Sequence, residues 1–166
     1  ARKSKVISDK ERELVAYHEA GHAIVSHFMP EGKSIGKITI VSRGHAGGFT
    51  RYEQEDQSLM TKVELEAMIA SAMGGREAEM ITHKGVLTTG ASNDFEQATR
   101  IAREMVMRYG MIEKLPQRTY GKKQQAVFLG REQNEEQDYS EETAVRIDNE
   151  ISSLLDQGKN NANKIL

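Results

Sequence analysis

Apolar positions recur along this chain with two rhythms, a helical one that dominates and a short alternating one. Ser8 followed by Glu11 has the form of a capping box, in which hydroxyl and carboxylate satisfy free amides at a helix start. Leu14, Tyr17, Gly21, Ile24, Val25 and Phe28 then follow at the spacing of a helix with one buried face, and Pro30 and Gly32 end it. A second box, Thr61 to Glu64, opens a helix through Leu65, Met68, Ile69, Ala72 and Met73. The Gly74–Gly75 pair falls in its middle. Each glycine there costs up to about 1 kcal/mol relative to Ala, so the pair signals close packing against another element or a kink. A third helix is expected to start with Asn93 as its N-cap, run through Ile101, Met105 and Val106, and stop at a left-handed Gly110. A fourth, capped by Ser140, carries Ala144, Ile147, Ile151, Leu154 and Leu155 ahead of Gly158. Between the first two helices the period becomes two. Ile38 and Ile40 alternate with Lys37, Thr39 and Val41, and Phe49–Tyr52 follows a glycine-rich stretch at Gly44–Gly48, which reads as two strands joined by a turn. The run Ala126–Leu129 is a third strand or a buried loop, and Glu132–Asp138 is a polar loop. The fold class is mainly α with a small β-sheet (α+β).

Composition narrows the chemistry. The 166 residues make one domain, 1–166, long enough for its own core. Cysteine is absent, which excludes disulfide frameworks, thiolate metal sites and cysteine nucleophiles. Lys and Arg number 23 against 25 Asp and Glu, a net charge of -2 that gives no electrostatic footprint for nucleic acid. The mean hydropathy is -0.62, and no apolar run approaches the roughly 18–20 residues of a membrane span. The chain opens at Ala1 on the basic residues Arg2, Lys3 and Lys5 and reads as a piece of a longer protein.

The chemistry concentrates in His18–Glu19–Ala20–Gly21–His22, an H-E-x-x-H pattern on the first predicted helix. Residues four apart lie about 40° apart around a helix, so both imidazoles leave the same face and can share one metal ion. Glu19, about 100° from His18, takes no coordination position but can reach a water activated by that ion, as a general base. Zinc suits such a site because its catalytic centres use three protein ligands and leave the fourth position open. The pattern also arises on helices with no metal. Here it sits mid-helix on an amphipathic segment, and Gly21 is explained only by close approach of another element. His27, His45 and His83 lie outside the paired spacing. A third ligand must come from elsewhere. The extended metzincin form is absent, because Ala23–Ile24–Val25 follows His22. Glu77 and Glu79 on the second helix are candidates, and Asp94 at the start of the third is their rival. Spacing alone does not choose among them.

Five motifs, in order, carry a resemblance. His18–Ala23, Gly74–Gly75–Arg76 with Ala78–Glu79, Thr88–Asp94, Met105–Val106 with Arg108–Met111, and Phe128–Arg131 followed by Ser140–Ala144 with Ile147–Asp148 together resemble the peptidase domain of FtsH-type AAA zinc metalloproteases. The resemblance runs from about Val6 to the C-terminus. It implies a mainly helical fold with a small sheet, one zinc ion per chain held by His18, His22 and Asp94, and Glu79 as a residue that orients a ligand or serves the structure. It also implies an ATPase module and a membrane anchor in the parent protein, a homohexamer, and a place on the cytoplasmic side of the bacterial inner membrane or on an organellar membrane. The chain itself carries no G-x-x-x-x-G-K-[ST] phosphate loop, so no ATP site is expected in it, nor any membrane contact of its own. The chain departs from the family at Gly47, where a bulkier apolar residue is usual, and in the polar stretch Gln157–Asn161.

The expected activity is zinc-dependent endoproteolysis, with Glu19 as base and unfolded or membrane-derived polypeptides as substrates. The strand beginning at Gly48, Phe49 and Thr50 offers backbone groups to an extended peptide. Two other classes compete: a non-catalytic hexamer-forming module, and a zinc hydrolase of small amides. An intact H-E-x-x-H speaks against the first, and a protein-versus-amide substrate panel separates the second.

Overall fold

A computed structural model describes residues 8–41, 48–53, 59–123 and 135–166. Four helices, α1 (Asp9–Phe28), α2 (Lys62–Thr82), α3 (Ser92–Met107) and α4 (Glu141–Ile165), carry the fold. The strands are β1 (Ile35–Thr39), β2 (Phe49–Tyr52), β3 (Lys122–Lys123) and β4 (Glu135–Glu136). β1 pairs antiparallel with β2, bringing Ile38 opposite Thr50, and β3 pairs with β4. The described residues are therefore mostly helical with two small two-stranded antiparallel sheets. No helix among the described residues is long and apolar enough to cross a membrane.

Helix starts follow the local chemistry. The Ser8 hydroxyl accepts the Glu11 amide, and Ser140 accepts that of Thr143. At Thr61 the box closes in both directions, with the Glu64 amide on the Thr61 hydroxyl and the Thr61 amide on the Glu64 carboxylate. α3 differs from expectation. It begins at Ser92 because a 3₁₀ turn, Thr89–Ala91, runs straight into it; Ala91 is the N-cap and Asn93 lies inside the first turn. Gly110 does take the left-handed conformation expected, at φ 61°, just beyond the helix.

α2 is the central element, contacted by the other three helices. Leu65, Ile69, Ala70 and Met73 of α2 join Val25 of α1, Ile101, Met105 and Val106 of α3, and Ile147 and Leu154 of α4 in one apolar cluster. Burying side chains of this size contributes about 1.5–3 kcal/mol each. The glycines explain how closely the helices pack. A Cβ on Gly74 would lie 2.6 Å from the Gly21 carbonyl oxygen, and one on Gly21 would lie 2.3 Å from that of Gly74. The Gly74–Gly75 pair thus marks a close crossing of α1 and α2, and α2 runs through it as continuous helix. Gly158 plays the same part between α4 and α2, where a Cβ would meet Ile69 at 2.6 Å. For that reason Gly158 does not end α4, which continues to Ile165.

The face that α1 buries is only in part the one its apolar spacing predicts, with Gly21 and Val25 common to both. Tyr17, Ile24 and Phe28 are exposed, whereas His18, Glu19, Gly21, His22, Val25 and Ser26 are buried. The inward face follows the glycine contact with α2 and carries the polar motif with it. The alternating stretch is also displaced: β1 starts at Ile35 and stops before Ile40. Most of the glycine-rich connection (42–47, with His45 and Gly47), the apolar run Ala126–Leu129 and Phe128–Arg131 lie outside the described residues.

The crossing yields a stability prediction. Gly74→Ala should cost about 1–3 kcal/mol by overpacking against backbone that has no rotamer to move. Gly36→Ala, whose Cβ would meet nothing closer than 3.5 Å, should stay within about 0.5 kcal/mol of the parent. Urea unfolding of the two variants measures the difference, and equal midpoints would contradict the close crossing.

Candidate metal centre

His18 and His22 leave the inward face of α1 one turn apart, and their Nε2 atoms lie 3.0 Å from each other. Gly75 makes room for them, since a Cβ there would stand 2.6 Å from both Nε2 atoms. Asp94, in the first turn of α3, brings Oδ2 to 3.1 Å from His18 Nε2 and 3.4 Å from His22 Nε2. The 3₁₀ turn that displaces the start of α3 is what presents this short side chain to a site on another helix.

The far side of each ring decides what the near side is. His22 Nδ1 lies 2.7 Å from the Ser71 carbonyl oxygen, which can only accept, so Nδ1 carries the proton. His18 Nδ1 lies 2.8 Å from Glu79 Oε1, and the same logic applies. In the neutral rings both Nε2 atoms therefore present lone pairs. Two lone pairs and a carboxylate oxygen converge on one small volume, an arrangement that repels itself unless a cation or a proton fills it. A tetrahedral centre with ligands about 2.0–2.2 Å away has edges of roughly 3.3–3.6 Å, within a few tenths of an ångström of the separations found here. Two imidazole nitrogens, one carboxylate oxygen and an open side suit zinc in both ligand type and number.

Electrostatics agree with that geometry. Burial favours the neutral acid of Asp94, but hydrogen bonds and charge interactions with His18 and His22 outweigh it and hold the carboxyl well below the usual range. Burial disfavours the imidazolium of His18, yet Asp94 and Glu79 together raise its pKa. The pocket attracts positive charge.

Glu79 lies behind His18, away from the point of convergence. It is almost wholly buried, and Oε1 accepts from His18 Nδ1 and from the Thr88 hydroxyl at 2.8 Å each. Oε2 accepts the Thr88 amide at 3.2 Å and has the Arg76 guanidinium 3.7 Å away. Burial would raise its pKa, but the two Thr88 hydrogen bonds and His18 lower it on balance. Arg76 in turn donates to the Thr88 carbonyl and covers Phe95, tying α2 to the segment that leads to Asp94. Glu77 points elsewhere and accepts from Asn163 of α4. His27 and His83 stand apart from the centre, against Phe28 and Tyr17 respectively.

Glu19 lines the same cavity as His18, His22 and Asp94, about 360 Å³ in volume. The Thr50 hydroxyl of β2 lies 3.0 Å from both the backbone oxygen and the Oε2 of Glu19. Gly48 permits this approach, for a Cβ there would sit 3.0 Å from Glu19 Cγ and 2.7 Å from Val15. Gly48, Phe49 and Thr50 thus form a cavity wall beside Glu19. The supporting roles of Ser71, Thr88 and Arg76 were not read from the sequence, although Arg76 and Thr88 lie within motifs that carry the resemblance. Ser71 acts through its backbone, and Thr88 and Arg76 are set by tertiary contacts.

Comparison with known proteins bears on the same residues. The model of peptidase family M41 matches residues 5–166. The chain is 46% identical over 166 residues to the ATP-dependent zinc metalloprotease FtsH 1 of Sphaerobacter thermophilus, covering 99% of this chain and 25% of that protein. It is likewise 46% identical to the ATP-dependent zinc metalloprotease FtsH of Rubrobacter xylanophilus, again over 99% of this chain and 25% of the other. Identity to the FtsH of Slackia heliotrinireducens is 47%, over 99% of this chain and 21% of that protein. The chain spans about a quarter of the length of these relatives. With a family match over nearly its whole length, this chain belongs to peptidase family M41.

Proposed function

We propose that residues 1–166 form one zinc-peptidase domain, in which His18, His22 and Asp94 hold a single zinc ion and Glu19 is the general base of peptide-bond hydrolysis. The observation that carries this reading is the convergence of two Nε2 lone pairs and Asp94 Oδ2, with the Glu19 carboxylate on the same cavity. When bound, zinc polarises the scissile carbonyl and acidifies the attacking water. Glu19 accepts the proton of that water and delivers it to the leaving amine nitrogen. The Thr50 hydroxyl holds the Glu19 carboxylate in position, 3.0 Å from Oε2. Glu79 and the Ser71 carbonyl keep both imidazoles in the tautomer that presents Nε2.

The substrate is an extended polypeptide. β2 pairs with β1 and flanks the cavity, so a peptide drawn past Glu19 runs alongside Gly48, Phe49 and Thr50. In the full protein an ATPase module feeds unfolded or membrane-derived chains to a ring of six such domains, held at the cytoplasmic face of a bacterial inner membrane. The ATP dependence in the names of the relatives supports the first part of this picture.

Two experiments test the assignments. Glu19→Gln should retain stoichiometric zinc and lose proteolysis by about 10²–10⁴-fold; near-normal turnover of the metal-loaded variant would remove Glu19 from its role. By isothermal titration, Asp94→Ala should weaken zinc binding by more than the 10–100-fold typical of losing a residue behind a ligand, the range expected of Glu79→Gln. If Glu79→Gln is the more damaging of the two, Asp94 is not the third ligand.

A further inference from the structure

The Thr50–Glu19 contact also fixes which way the end of β2 faces. Successive strand residues alternate sides, so Tyr52 lies on the same face as Thr50, two residues further along. Tyr52 accordingly lines the cavity with His18, Glu19, His22 and Asp94, whereas Arg51, on the opposite face, is exposed. Among the described residues no group forms a hydrogen bond with the Tyr52 hydroxyl, while several polar groups around the centre are engaged. Glu19 has Thr50, His22 has Ser71, and Ser26 donates to the Lys33 carbonyl. The phenol is half-buried, and burial together with the charges of Asp94 and Glu19 pushes its pKa up to about 12. It therefore keeps its proton at neutral pH, as a donor without a partner among the described residues.

Resting on the peptidase reading above, we propose that Tyr52 is a further catalytic residue, donating a hydrogen bond to the oxyanion that develops on the scissile carbonyl oxygen. The water oxygen bonds to the carbonyl carbon, the C–N bond breaks, and the water's proton travels through Glu19 to the amine. The phenol keeps its own proton throughout. The tetrahedral oxygen carries charge that the ground-state carbonyl lacks, and a neutral O–H donor beside it binds that developing charge without adding any. Such a donor acts on the transition state more than on bound substrate, so its loss should fall on kcat.

Tyr52→Phe removes only the hydroxyl and keeps the ring in the cavity wall. In the zinc-loaded natural full-length protein it should lower kcat by about 10²–10³-fold with KM unchanged, and leave bound zinc stoichiometric. It should also weaken binding of a peptide phosphinate, a mimic of the tetrahedral state, by a similar factor, while a product peptide binds as before. Retained kcat, a loss confined to KM, unchanged phosphinate affinity or reduced zinc content would each overturn the proposal. Glu19→Gln measured alongside separates the two claims. If Glu19→Gln is inactive and Tyr52→Phe is fully active, the phenol has no part in catalysis and the peptidase reading stands. If Glu19→Gln turns over normally, that reading itself fails.

Discussion

Everything at the centre depends on how closely α1 and α2 cross. Gly21 and Gly74 meet backbone to backbone, and Gly75 leaves the space that the two imidazoles occupy. A methyl group at any of the three would part the helices or displace His18 and His22. Three helical glycines sacrifice intrinsic helix stability, up to about 1 kcal/mol each. The crossing returns a rigid floor on which two side chains are held without freedom to turn away. The Ser71 carbonyl and the Glu79 carboxylate, both on α2, then lock the rings from behind. Helix packing and ligand geometry are thus one feature.

The second determinant is the route by which Asp94 arrives. Arg76 and Glu79 hold Thr88, Thr88 caps the 3₁₀ turn, and the turn delivers Asp94 in the first turn of α3. Asp94 therefore occupies a position fixed by α2 as much as by its own helix. A carboxylate held below its usual pKa and an imidazole held above it are the signature of a site arranged around positive charge.

Much of this was legible in the residues, unevenly so. The capping residues, the helical glycines and H-E-x-x-H are local chemistry, and local chemistry survives folding; Thr61–Glu64 and Gly110 adopt what their types dictate. The buried face of α1 was only partly legible from hydropathy: Gly21 and Val25 lie on it, but the inward stripe also carries His18, Glu19 and His22 while Tyr17, Ile24 and Phe28 point outward. Apolar periodicity misreads a helix whose buried side is its chemical side. Gly158 looked like a helix end and is a packing contact, a distinction that only the neighbouring Ile69 makes. Between Asp94 and Glu79 spacing alone did not choose, and only the family resemblance favoured Asp94. Both are carboxylates near helices, but one faces the Nε2 atoms and the other faces an Nδ1. Tyr52 carried no signal beyond its place in an alternating strand.

The central claim is that three particular atoms share one metal ion. An anomalous difference map collected at the zinc edge on zinc-loaded crystals tests it without relying on activity. The account predicts one strong peak per chain, about 2.0–2.2 Å from His18 Nε2, His22 Nε2 and an Asp94 carboxylate oxygen, with Glu79 still on His18 Nδ1. A peak ligated by Glu79, or one that leaves Asp94 outside bonding distance, would contradict it.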